Sequence, residues 1–371
     1  MTFAKPEVMP ADTPATATVP PREFNVAAHG LRGVAAMLVF FAHLMGGTAE
    51  HIYAADRAYV DIVRPFWNVG TFGVELFFVI SGFVILPSVV RYSLREFALR
   101  RFLRIYPLFF AFSLLFVMLN LALNAYPKIN EPVAVFAGLV FMNLFTGTEQ
   151  LTPNAWSLSF EVMVYIGTAL IYYFAVVRRN VVATVAMIAL AAAFWMRFPI
   201  TSYFLLGLVV RIVHDRQMFL PLLIARTFEA VAFVSMVWLA SIDHYEYVWA
   251  DLSRPAVIPL IIATGTYFYL AVHARSLTAW LVGNRIALYL GTVSYSLYIV
   301  HPYIYLPMRL AFDRLGWFAA DPFLSLALFA LAVTPPMLAA TAVVHATLER
   351  WPYAAFFRQA IYRRNRMPTP T

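Results

Sequence analysis

The chain contains no cysteine. That excludes a disulfide, a thiolate metal site and a cysteine-bound acyl intermediate. Charge is scarce as well. Asp, Glu, Lys and Arg make up 12% of the 371 residues, roughly half the share usual in soluble domains. The beginning of the chain lacks the basic-then-apolar pattern of a secretory signal. Residues 1–27, with Pro6, Pro10, Pro14, Pro20 and Pro21, read instead as a disordered cytoplasmic tail. No solenoid period and no obvious inverted repeat is visible, which argues against a secondary transporter built from paired halves.

What is present is apolar. Hydrophobic residues are 62% of the chain, mean hydropathy is +0.74, and aromatics reach 16% with 33 Phe and 20 Tyr. This is the composition of a polytopic membrane protein with aromatic lipid contacts and interface belts. A net charge of +8 then reads as cytoplasmic loop charge rather than nucleic-acid affinity. Apolar runs fall near 31–48, 70–90, 105–125, 132–146, 156–177, 181–196, 200–213, 219–241, 255–273, 285–307 and 322–347. The basic loops should be cytoplasmic: Arg91 to Arg104, then Arg211, Arg216 and Arg226, then His273, Arg275 and Arg285, then the tail from Arg350 to Arg366. If every run crosses, the tail 353–371 lies opposite the Arg91–Arg104 loop. Dropping 132–146, which is short and follows Pro132, repairs every later loop. The expectation is an all-α integral membrane protein with about ten transmembrane helices and both termini cytoplasmic. Residues 132–146 form a re-entrant or shallow helix, and the membrane domain covers 28–352. Loops 49–66, 147–155, 242–254 and 308–321 then face outward, and the third carries Asp243, Glu246 and Asp251.

Two ionisable residues stand in the first apolar run. Arg32 and His43 are eleven positions apart (43 − 32 = 11). At about 100° per residue this is three turns plus roughly 20°, so both lie on one helix face, about 16 Å apart along the axis. A cation and an imidazole on one stripe of a membrane helix are costly, and point to a watery cavity with proton chemistry. The bland alternatives are interface snorkelling for Arg32 and a structural hydrogen bond for His43. The stretch Gly73–Phe83 puts Glu75 at the head of an aromatic run and Ser81-Gly82 in its middle. An acid there needs a partner. Ser81 and Gly82 allow close helix packing, or Ser81 supplies a reactive hydroxyl. In Arg100–Pro107, Arg101 and Arg104 share a helix face, where two guanidiniums either grip a phosphate or only anchor topology, and Tyr106 follows them.

In Asn154–Glu161, Asn154 is placed to cap a helix and Trp156 to sit at the interface. Ser157, Glu161 and Tyr165 are four apart and form one polar stripe. The topology puts Glu161 at the depth of His43, so a carboxylate orienting a general base is expected from that pair. His301 precedes Pro302 in Ser294–Pro302 and either packs or lines a site.

These five segments, in this order, resemble the acyltransferase-3 family of membrane acyltransferases, and the resemblance runs from about residue 28 to about residue 352. Tyr203-Phe204-Leu205-Leu206-Gly207 and Leu348-Glu349-Arg350-Trp351-Pro352 are similar to the family as well. The resemblance implies an inner-membrane enzyme of about ten helices. It implies transfer of an acyl group, often acetyl, from cytoplasmic acyl-CoA to a hydroxyl, usually of a sugar in a surface or exported glycan. It further implies that Arg32 and His43 are the essential arginine and histidine, Arg101 and Arg104 the paired arginines, and Glu161 the acid of the Trp-Ser-Leu-x-x-Glu segment. Three departures stand out. Ala28, His29 and Gly30 occupy the stretch where an acid is frequent, Glu75 stands where Asp is frequent, and no esterase-like soluble domain follows.

The expectation is therefore an O-acyltransferase with His43 and Glu161 catalytic. Arg32, Glu75, Ser81, Arg101, Arg104, Tyr106, Asn154, Trp156, Ser157 and His301 bind substrate or cofactor. Arg101 and Arg104 hold the CoA phosphates, the pantetheine arm passes Arg32, and the thioester meets His43. Acyl-CoA, acetyl-CoA first, is a donor substrate rather than a resident cofactor. The other partners are a hydroxyl acceptor and the bilayer, with no metal and no nucleic acid. The rival reading is a transporter or exporter of polar or lipid-linked solutes that uses the same charges for coupling. A structural partner in a glycan-synthesis complex is a third.

Overall fold

A computed structural model describes residues 24–123, 126–215 and 221–364. Its elements are helices, and no strand occurs among the described residues. Apolar runs of this length must satisfy their backbone internally in lipid, and the helix does so within one segment. In chain order they are α1 Val26–His51, α2 Arg57–Thr71, α3 Gly73–Arg91, α4 Leu94–Leu123, α5 Pro132–Leu139, α6 Asn143–Thr146, α7 Trp156–Tyr172 and α8 Val181–Arg197. There follow α9 Ser202–Asp215, α10 Leu222–Ile242, α11 Trp249–Leu252, α12 Val257–Ala271, α13 Leu277–Val282, α14 Arg285–Arg314, α15 Pro322–Val344 and α16 Trp351–Arg364. Local sequence fixes many starts. Asn25, Asp56, Asn180, Ser276, Asn284 and Asp321 each accept a backbone N–H as N-cap. Glu229 of α10, itself buried, accepts from Leu277 N and Thr278 N and so holds the start of α13.

Six of these helical stretches are long and apolar enough to cross a membrane, or seven if the pair 181–215, bent by 116°, is one span. The protein is thus a multi-pass membrane protein. Several expected boundaries move. Residues 57–66, expected in an outward loop, belong to α2, capped by Asp56. Asp61 and Arg64 interrupt its hydropathy, so only its amphipathic pattern, with Tyr59 and Val63 buried, marks it. The 132–146 run breaks into eight- and four-residue helices. The longer extends about 12 Å, too short to span. Runs 181–196 and 200–213 form α8 and α9, a pair bent by 116° at Phe198-Pro199. Residues 1–23 and 365–371 of the expected tails lie outside the described residues, and α16 covers the tail up to Arg364.

α1 sits at the centre, against α2, α3 and α14, while α3 packs on α9, α10 on α12 and α14 on α15. Glycines let two of these pairs approach. A Cβ on Gly82 would lie 2.1 Å from the Phe204 carbonyl oxygen, and one on Gly207 would lie 2.0 Å from that of Val79. A Cβ on Gly291 would lie 2.2 Å from the His29 carbonyl oxygen, so the α1–α14 contact is equally close. Small residues at helix contacts permit this backbone approach in lipid. We predict that Gly207→Leu forces α3 and α9 apart and destabilises the bundle by about 3 kcal/mol. Thermal unfolding in detergent would show this as a lower midpoint, and an unchanged midpoint would contradict the packing.

Candidate functional site

The ionisable residues gather at two levels of the bundle. The first is built on the beginnings of α1, α4 and α14 and the end of α3. Arg101 donates to Ser88 Oγ at 3.0 Å and stacks on the Tyr165 ring, with its guanidinium carbon 4.7 Å from the centroid. Arg104 is half-buried, one turn further along α4, and makes no hydrogen bond or ion pair among the described residues. Arg32 is likewise half-buried and without a hydrogen bond. It is within electrostatic reach of Arg104, Glu161, Tyr165 and Glu349. His29 reaches the Leu288 carbonyl at 3.0 Å and is electrostatically close to Arg32 and Arg104. The two carboxylates here are already occupied. Glu161 accepts from Ser81 Oγ at 2.7 Å and from the Tyr165 hydroxyl. Glu349 accepts from Ser296 Oγ at 2.7 Å and is 2.9 Å from His345 Nδ1. Three cations against two engaged carboxylates leave a positive chamber with free donors, the chemistry of a polyanion site.

The second level is a cavity of about 600 Å³ lined by residues that include His43, Glu75, Asn154, Trp156, Phe160 and Tyr298, with Arg197, His244 and Glu246 also in its wall. His43 comes from α1, one face above Arg32. Its Nδ1 donates to the Val39 carbonyl at 2.8 Å, one helical turn back. Nε2 is therefore the unprotonated nitrogen of the neutral ring, with its lone pair free for a proton. The His301 ring centroid is 4.9 Å away and Tyr305 6.0 Å away. His301, fully buried on α14, contacts the Leu297 carbonyl through Nδ1 at 3.2 Å and faces Asn154 Nδ2 through Nε2 at 3.1 Å. Asn154 also donates to the Tyr298 carbonyl at 2.9 Å, and Ser157 Oγ is 2.9 Å from the Tyr298 hydroxyl. The loop before α7 is thereby tied to the His301 turn.

The structure joins some expected residues and separates others. Ser157, Glu161 and Tyr165 do form a stripe on α7, and Ser81 joins it from α3. The expected hydrogen bond between His43 and Glu161 is absent. Glu161 pairs with Ser81, six residues beyond Glu75 on α3, which is about 9 Å along the axis toward the arginines. The depth argument misplaced it because hydropathy gives the length of a span, not the offset between two spans. Asn154 does not cap α7, whose N-cap is Ala155 without a side-chain bond; its amide is drawn to α14 instead. Tyr106 stacks with Phe102 at 4.6 Å and Phe110 at 5.9 Å, both exposed, so it belongs to an aromatic ladder on the outer side of α4. His29, Tyr298 and Glu349 were not singled out. For Glu349 the signal was available: an acid held in an apolar stretch, here on a π-helical turn His345–Arg350.

A helical membrane bundle with a positive chamber at one level and an imidazole-lined cavity at the other has the layout of an intramembrane enzyme. The chain belongs to the acyltransferase-3 family, whose acyltransferase-domain model matches residues 25–345. It is accordingly a membrane acyltransferase. No curated protein and no solved structure matches the chain.

Proposed function

We propose that this protein moves an acyl group, acetyl in the first instance, from cytoplasmic acyl-CoA to a hydroxyl of a sugar in a surface or exported glycan. The observation that carries the reading is His43. Its Nδ1–H is spent on the Val39 carbonyl, and the ring stands in the wall of a cavity large enough for a sugar residue. Aromatic faces such as Trp156 and Tyr298 in that wall suit the apolar side of a pyranose. In this mechanism Nε2 of His43 takes the acceptor O–H proton and the oxygen attacks the thioester carbonyl. The C–S bond then breaks, and the departing CoA sulfur takes the proton back from the imidazolium. The donor's phosphates bind at Arg104 and Arg32, with Arg101 held beside them by Ser88. The pantetheine arm spans the roughly 16 Å between Arg32 and His43.

In this reading the enzyme lies in the inner membrane with ten passes and the arginine level cytoplasmic. Helix direction supports this. α4 leaves the arginine level and reaches Tyr303 at Phe112, where Tyr303 also meets Thr152 just before α7. These contacts support a 127–146 segment that starts and returns at one end, in keeping with the charge pattern. α16 lies back at the arginine level, where Arg100 donates to the Tyr353 hydroxyl at 2.9 Å and sits over Phe357.

The test compares surface and exported glycans of a deletion strain with those of the same strain complemented by the wild-type chain. Mass spectrometry should find an acyl mass lost and then restored. Unaltered glycans, together with proton-dependent solute flux through proteoliposomes that lack acyl-CoA, would overturn the reading in favour of transport.

A further inference from the structure

Glu75 is the buried carboxyl among the cavity residues named above, and the mechanism does not use it. It is 5% exposed and stands in the first turn of α3. Its Oε2 is buried without a hydrogen-bond partner, and the residue forms no ion pair among the described residues. The groups electrostatically close to it are the phenols Tyr203, Tyr247 and Tyr298 rather than any cation. The cation in the cavity wall, Arg197, is exposed and lies over the Phe198 ring at 4.9 Å. A buried carboxyl oxygen with no donor is costly to keep. The helix N-terminus lessens the cost of charge there but supplies no bond to Oε2. The missing partner is a donor that comes and goes, and the cavity shared with His43 is where it would come from.

Resting on the acyltransferase reading, we propose that Glu75 grips a second hydroxyl of the acceptor while His43 deprotonates the first, which makes the enzyme select an uncharged, polyhydroxylated acceptor unit and a single position on it. Two hydroxyls of one sugar held at two points fix the ring, so one oxygen faces the thioester. An acid on the same unit, such as a uronate or a phosphate, would have to be buried at Glu75 with no cation beside it and be disfavoured. Glu75 is thus a positioning residue for the acceptor and has no part in holding the donor.

The deletion strain is complemented with wild type, Glu75→Gln or Glu75→Leu. Acyl ester per glycan repeat and its position on the sugar are read by mass spectrometry and NMR, and acetyl-CoA binding is measured on the purified chains. Expected for both variants are about a tenfold or greater fall in ester and a spread of the remaining ester over several positions, with acetyl-CoA affinity within about twofold of wild type. The near-isosteric Gln variant guards against simple misfolding. Unchanged ester amount and position would overturn the proposal, and so would a parallel loss of acetyl-CoA binding, which marks a structural role. Wild type that restores no ester would strike the transferase reading itself and take this assignment with it.

Discussion

His43→Ala is expected to lower acyl transfer by about 10²–10⁴-fold, the usual contribution of a positioned general base, while the bundle stays folded and inserted. The structural cost is small for stated reasons. The side chain is half-buried, and its hydrogen bond goes to the Val39 carbonyl of its own helix. Its other neighbours are ring faces, His301 and Tyr305, which lose one edge contact each. Donor binding should be preserved, because the nearest arginine of α1 is about 16 Å along the axis. His43→Gln is the stricter test, since it keeps a polar side chain of similar reach but cannot take a proton at this position. Labelled acetyl transfer in proteoliposomes, with circular dichroism and acetyl-CoA affinity as controls, decides it. A His43→Gln enzyme within about tenfold of wild type would remove His43 from the role of base.

The placement of His43 also shows what could be read along the chain. Arg32 and His43 share a helix, so a spacing of eleven and a fixed rise were enough to predict a common face and a separation. The same held for Ser157, Glu161 and Tyr165 within α7. Relations between helices were less legible. Glu161 meets Ser81 because Gly82 and Gly207 let α3 sit close to α9, which sets where α3 presents its polar side. No periodicity in α7 carries that information. Asn154 looked like a cap because its side chain suits one, yet the bonds available on α14, to Tyr298 and His301, outcompete the local one. α2 was missed because a half-polar helix lying on α1 lacks the continuous apolar run of a span. The positive-inside count sets 132–146 aside as a crossing on charge summed over many loops rather than on one contact, and the structure breaks that run into helices of eight and four residues.

Loss of the donor grip should be the second large effect. Arg101→Ala with Arg104→Ala is expected to weaken acyl-CoA binding by about 10²-fold or more. A hydrogen bond between charged groups contributes about 1.5–3 kcal/mol, and two such losses come to about 3–6 kcal/mol, or more than two decades in Kd. The two arginines should not contribute equally. Arg101 is already held by Ser88 and by the Tyr165 ring, whereas Arg104 has all its donors free. Arg104→Ala alone should therefore account for most of the loss. Arg104→Lys should recover part of it, because charge is kept but the planar two-point grip on phosphate is not. The measurement is calorimetric titration of acetyl-CoA against dephospho-CoA, which lacks one phosphate. Wild type should prefer the fully phosphorylated ligand, and the double variant should bind both about equally weakly. If the double variant binds acetyl-CoA with unchanged affinity, Arg101 and Arg104 serve only to anchor α4. The positive chamber would then owe its free donors to Arg32 alone, a single guanidinium too few to hold a ligand bearing several phosphates.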